Sequence, residues 1–134
     1  MGTKFSTRVW VSVVGIASIF FGSKGYADTV ISVADFGLKP DTRENAVAYV
    51  EKAIVACRGK GPVTPVFPEG RYDFWPQYAH EKNYYETNTY DVFPKRLAML
   101  FEGLHNITVD GNGSQFVMHD RIQPITVENC DGVT

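Results

Sequence analysis

With 134 residues the chain has room for one domain at most. Its formal charge is −2, and all fifteen acidic residues lie at Asp28 or later; without Lys4, Arg8 and Lys24, 10 basic residues face 15 acidic ones, a charge of −5. That balance argues against a nucleic-acid surface and suits a soluble exported protein with neutral partners. Two cysteines, Cys57 and Cys130, are too few for a disulfide scaffold and cannot alone form a four-thiolate metal site.

The N-terminus reads as a leader. Lys4 and Arg8 precede an uncharged 14-residue stretch from Val9 to Gly22, and Gly25-Tyr26-Ala27 sets small residues at the −3 and −1 positions of a cleavage site. The apolar run is short for a bilayer span, so a signal peptide over 1–27 is a better reading than an uncleaved anchor. It implies a secreted or periplasmic protein with no membrane contact after cleavage. The myristoylation pattern in Met1 to Ser6 is short enough to arise by chance, and the apolar run behind it explains the terminus better.

Residues 28–134 then form the folded part. Val30-Ile31-Ser32-Val33 predicts a short strand, and Asp35-Phe36-Gly37 a turn. Asp41 and Glu44 are spaced as a capping box, and Val47, Val50, Ile54 and Cys57 fall on one helical face. Gly59 and Gly61-Pro62 end this helix, with Arg58 and Lys60 suited to its negative end. Val66 to Phe74 predicts two strands around a Pro-Glu-Gly turn, with Pro65 limiting how far back the first can pair. From Trp75 to Lys95 periodicity is lost, which predicts a long inserted loop.

A regular rhythm follows. Ile107-Thr108-Val109, Phe116-Val117-Met118 and Ile125-Thr126-Val127 start nine residues apart, and Phe101 to Thr108 returns as Val127 to Thr134, shifted by 26. The apolar positions 101, 104 and 107 recur as 127, 130 and 133, and Glu102 recurs as Glu128. Three short strands per 26 residues predict a mainly β fold: a right-handed parallel β-helix with the helix as its N-terminal cap. An α/β layer is the alternative, but nine residues are too few for a helical crossover between parallel strands. In the repeat Cys130 replaces Leu104, so both cysteines read as small buried apolar groups; a Cys57–Cys130 bridge is the alternative that export would permit.

Eight aromatic residues crowd between Tyr72 and Phe93, a span of 22 residues. Such rings either pack a loop onto the flank of the fold or, as at Trp75 and Tyr78, stack on the C–H faces of sugars. Asp110-Gly111-Asn112-Gly113-Ser114 lacks the third glycine of a dinucleotide fingerprint and reads as corner chemistry. His119-Asp120-Arg121 reads as a solvated corner, with an acid, a base and a cation together as the alternative. His80 and His105 stand apart without metal-ligand spacing, so neither metal nor cofactor is expected. Asp73, Asp110, Asp120 and Asp131 are the available carboxylates, and no catalytic pair among them is singled out.

Val33-Ala34-Asp35-Phe36-Gly37, the helix ending near Cys57, and Val66 to Tyr72 resemble the opening of pectate-lyase-like β-helix proteins. Tyr72-Asp73-Phe74-Trp75-Pro76, Pro94-Lys95-Arg96 and Phe101 to Phe116 resemble glycoside hydrolase family 110, the exo-acting α-1,3-galactosidases. The resemblance spans about Ile31 to Thr134, and the run Asn83 to Asp91 departs from the family pattern. It implies galactose-terminated glycans as partners and hydrolysis of terminal α-1,3-linked galactose with inversion, by an acid and a base carboxyl. In that family the catalytic aspartates lie on later coils, so none maps onto this chain. The chain is accordingly expected to be an inactive N-terminal piece. A pectin lyase or polygalacturonase and a non-enzymatic glycan-binding β-helix module are the rival readings.

Overall fold

The computed structural model describes residues 28–85 and 93–134. The leader expected over 1–27, Tyr90, and most of the run Asn83 to Asp91 lie outside the described residues. In chain order these form β1 (Thr29–Ser32), a 3₁₀ turn (Val33–Phe36), α1 (Val47–Cys57), β2 (Val63–Val66), β3 (Arg71–Phe74), β4 (His80–Lys82), β5 (Lys95–Glu102), β6 (His105–Ile107), β7 (Gln115–Met118), β8 (Gln123–Glu128) and β9 (Asp131–Val133). The fold is therefore mainly β. Among the described residues no helix is long and apolar enough to cross a membrane.

Three sheets share the strands: β1-β2-β6-β9, β3-β7 and β4-β5-β8. Every pairing is parallel except that of β4 with β5. From β2 onward the chain enters the sheets in rotation, with β4 added as an edge strand. The 26-residue rhythm is a hydrogen-bonding register: Phe101 faces Val127, Glu102 faces Glu128 and Ile107 faces Val133. The preceding layer runs at an offset of 44, with Val63 against Ile107, Tyr72 against Phe116 and Phe74 against Met118. The 18 extra residues of that offset fall in the stretch between β3 and β5.

That stretch is more than the long loop its sequence predicts. It carries β4, which pairs antiparallel with β5 through His80 against Leu97 and Glu81 against Arg96. Alternation over three residues is too short to show as a period. Other boundaries shift as well. Strand β1 stops at Ser32, whose side chain accepts the Ala34 N–H, so Val33 opens the 3₁₀ turn. The triplet at Ile107 leaves its strand early, although Thr108 and Asp110 still donate to the carbonyls of Val63 and Pro65. Pro65 itself lies inside β2, in mid-sheet. Val63↔Ile107 and Val66↔Asp110 bracket it, and its missing N–H interrupts the ladder between β2 and β6.

The capping box is not formed. Asp41 sits at φ +63° and its carboxylate accepts the Arg71 N–H at 3.0 Å, which ties it to β3 and away from the helix. Asn45 serves the helix instead, its Oδ1 accepting the Val47 N–H at 3.2 Å, while the Ala46 N–H donates to the Asp73 carbonyl at 2.8 Å. The apolar stripe is as its spacing predicts: Val47, Val50, Ile54 and Cys57 are buried and α1 packs on β1, β2 and β5.

Between the sheets Phe67, Tyr72, Phe74 and Phe116 meet in edge-on and tilted pairs with centroids 4.8–6.1 Å apart. The turn feeding β3 depends on Gly70, at φ +149°, where an added Cβ would lie 2.4 Å from Pro40 Cβ. Gly70→Ala is expected to cost about 2 kcal/mol in urea unfolding, from overlap and a backbone that L-residues avoid. No loss of stability would show that the Pro40 loop yields freely.

Both cysteines are free. Cys57 is buried and its thiol donates to the Ala53 carbonyl at 3.2 Å, and burial pushes its pKa up, which keeps it unreactive. Cys130 is half-buried and takes the Leu104 N–H at 3.4 Å, so the repeat partners 104 and 130 touch.

Candidate functional site

Strand β3 presents Tyr72 and Phe74 to the core and, by alternation, Arg71 and Asp73 to the other face. Yet the Asp73 side chain is only 1% exposed. Its carboxylate accepts from Arg71 Nε at 2.9 Å and Nη2 at 2.6 Å, and His119 Nε2 lies 2.7 Å from Oδ1. The parallel register makes this possible. Val117 of β7 lies beside Asp73, and the His119 N–H donates to the Phe74 carbonyl at 2.9 Å, which brings the imidazole onto the Asp73 face.

The Arg71 guanidinium, helped by His119, holds the Asp73 carboxyl down at about 2, against the burial that pushes it up. Asp73 is therefore ionised at neutral pH and bound to both partners, which suits it to anchoring and not to donating a proton. Its work is passed outward. The Trp75 indole stacks on the His119 ring, centroids 4.1 Å apart and planes within 4°. Asn45 grips the same residue from the backbone, accepting the Trp75 N–H at 3.2 Å and donating to the Trp75 carbonyl at 3.4 Å, and it also donates to the Gln77 carbonyl at 2.9 Å.

Beside this stack opens a cleft of about 400 Å³, lined by Trp75, Gln77, Tyr78, Glu81, Arg96 and Asp120. Trp75 and Tyr78, the two sequence candidates for sugar stacking, thus border one space. Tyr78 is 80% exposed and sits at φ +67°, a conformation that costs a bulky residue on the order of 1–3 kcal/mol. Glu81 and Arg96 pair across neighbouring strands at 3.3 Å.

The aromatic cluster divides between both readings of it. Tyr72 and Phe74 are core residues, while Tyr78 and Tyr85 stand in solvent. The corner His119-Asp120-Arg121 is not uniformly solvated: Asp120 and Arg121 are exposed, but His119 is half-buried between Asp73 and Trp75. Asp110 is used by its turn, accepting the Asn112 N–H at 2.8 Å, and Asp131 is exposed on β9. His80 pairs with Glu51 of α1 at 2.6 Å, and His105 is exposed on β6. Sequence reasoning missed the Arg71–Asp73–His119 chain. The available signal was the i, i+2 spacing of Arg71 and Asp73, which puts opposite charges on one face of a strand.

A second polar cluster lies on the third sheet. Glu102 and Glu128 face each other in register, a like-charge pair that is unfavourable alone, and Lys82 of β4 reaches both, at 2.7 and 2.5 Å. The Tyr84 hydroxyl bonds to Gln123 beside them. Lys82, by its hydrogen bond first and its charge second, lowers the Glu102 pKa below the ordinary value. Lys82→Met is therefore expected to raise the Glu102 pKa in an NMR titration, and an unchanged value would show that the clamp is not formed. Among the described residues no three His, Cys, Asp or Glu side chains converge as a metal site.

A scan against models of protein families finds no match. Curated relatives do exist. An alpha-1,3-galactosidase B of Bacteroides thetaiotaomicron is 59% identical over 108 residues, 81% of this chain and 18% of the relative. An alpha-1,3-galactosidase A of Shewanella woodyi is 36% identical over 104 residues, covering 78% of this chain and 17% of that protein. One of Bacteroides fragilis is 37% identical over 111 residues, 79% and 18% respectively. Over about four-fifths of its length the chain is thus a homologue of proteins named alpha-1,3-galactosidase, and it spans less than a fifth of theirs.

Proposed function

We propose that this chain is the N-terminal part of an exported, exo-acting α-1,3-galactosidase of glycoside hydrolase family 110. The observation that carries the reading is the 59% identity, over 81% of the chain, to a protein named alpha-1,3-galactosidase B. The strand order adds support. In-register parallel stacking at 26 residues is what one coil laid on the next requires, so the proposed scaffold is a right-handed parallel β-helix of the pectate-lyase-like kind, begun under α1. Export rests on the leader-like residues 1–27.

The proposed reaction is hydrolysis of terminal α-1,3-linked galactose with inversion, which needs two carboxyls about 6.5–9.5 Å apart with water between them. No residue of this chain is assigned to that pair. Asp73 is held ionised by Arg71 and His119, and Glu102 and Glu128 are both bound by Lys82. As the family resemblance sets the catalytic aspartates on later coils, the acid and base are assigned to the remaining length that the relatives have, and residues 28–134 alone are expected to show no turnover. The test is the full-length protein on galactosyl-α-1,3-galactose, followed by NMR of the anomeric proton. β-Galactose released first supports the reading. Release of α-galactose first removes the inverting mechanism, and cleavage of polygalacturonate in place of the galactoside removes the function. N-terminal sequencing of the protein recovered outside the cytoplasm should begin at Asp28.

A further inference from the structure

We propose that the cleft over Trp75 is a galactosyl-binding subsite, with the indole as its platform and Asp120 as its hydroxyl acceptor; the choice of sugar rests on the galactosidase reading above. The platform is built before any ligand arrives. Trp75 is held through its backbone by Asn45 and from one ring face by His119, which is tied to a carboxylate only 1% exposed. One face of the indole is taken by His119, and Trp75 is at the same time part of the cleft lining. An aromatic ring fixed in this way loses little freedom on binding, which favours weak ligands that offer a single apolar face.

The polar groups select what lies on that ring. Among the described residues Asp120 makes no hydrogen bond or ion pair, and it is exposed at φ +57° on the cleft wall. Glu81 adds a second carboxylate, and the guanidinium of Arg96 is already paired with it at 3.3 Å. The lining therefore disfavours uronic acids and sugar phosphates and accepts neutral hydroxyls. Galactose meets both demands. Its axial O4 leaves the C3, C4 and C5 hydrogens as one continuous apolar face for the indole, and a carboxylate can take two neighbouring hydroxyls at once. In glucose the equatorial O4 breaks that pattern. Tyr78, exposed and held at φ +67°, flanks the same space as a second ring.

The test is titration of the full-length protein with methyl β-galactoside, which an α-galactosidase does not cleave, against methyl β-glucoside and galacturonate. Intrinsic fluorescence and calorimetry are read on the parent, Trp75→Phe, Trp75→Ala and Asp120→Asn. Asparagine tolerates positive φ, so Asp120→Asn keeps the fold, and Trp75→Phe keeps a ring. Expected are a galactoside-dependent fluorescence change that disappears in Trp75→Phe and about tenfold weaker binding in Trp75→Ala. Asp120→Asn should lose most of the preference for galactoside over glucoside. Should Trp75→Ala fail to fold, the phenylalanine and asparagine variants decide. Binding within twofold of the parent in both, or a fluorescence change that survives Trp75→Phe, overturns the subsite. Turnover of α-1,3-galactosides with a silent cleft removes the subsite and leaves the enzyme. Galactoside binding at Trp75 without turnover does the reverse.

Discussion

Replacing Asp73 with alanine is expected to destabilise the protein by about 3 kcal/mol, the cost of removing one member of a buried ionic cluster. Its carboxylate is 1% exposed, whereas Arg71 and His119 are 29% and 32% exposed. The abandoned partners regain some water, which puts the loss near the lower end for such changes. The effect also has a pH signature. Folding holds the Asp73 pKa at about 2, below its ordinary 3.8, so the folded state binds this proton less readily than the unfolded one. The stabilisation is fully present above about pH 4 and is lost as the pH falls towards 2. Asp73→Asn, which cannot ionise, should flatten that part of the stability–pH curve. Urea unfolding between pH 2 and pH 6, with hydrogen-exchange protection of β3 and β7 as a local probe, measures both effects. An unchanged slope in the asparagine variant would show that Asp73 is not the titrating group.

Phe74→Ala should cost about 4 kcal/mol, within the range for large-to-small changes in a closed core. Phe74 has no exposed surface, packs edge-on against Phe116 at 5.8 Å, and lies in register with Met118 of the next layer. The residue therefore joins two layers across the stack, and its loss should lower protection in β7 as well as β3. Phe74→Leu should recover about half of the loss. A loss below about 1 kcal/mol would mean that the two layers do not share this core.

The contrast between these two positions shows what a linear reading can see. The strand that carries Phe74 was legible, whereas its place in the core was only one of two readings of the aromatic cluster until the structure buried it. The register of β5 with β8 and of β6 with β9 was legible too, because the repeat of 26 residues is the spacing at which the strands pair. The pairing of β3 with β7 was not, because an insertion stretches that offset to 44 and no phrase recurs across it. Asp73 and His119 are 46 residues apart and meet only through this stretched register.

The same reason explains the other differences. Asp41 and Glu44 have capping-box spacing, but Arg71 sits close enough in space to claim Asp41 first. Lys82 looked like one more polar loop residue until β4 brought it to two glutamates from successive layers. Composition and periodicity by themselves determined the mainly β class, the amphipathic helix α1 and the 26-residue stacking interval, because burial repeats along the chain. Only the tertiary structure decided which side chains form the Trp75 cleft. Its support crosses between layers, through Asn45 before β3 and His119 after β7, and neighbours in space across an insertion leave no period in the sequence.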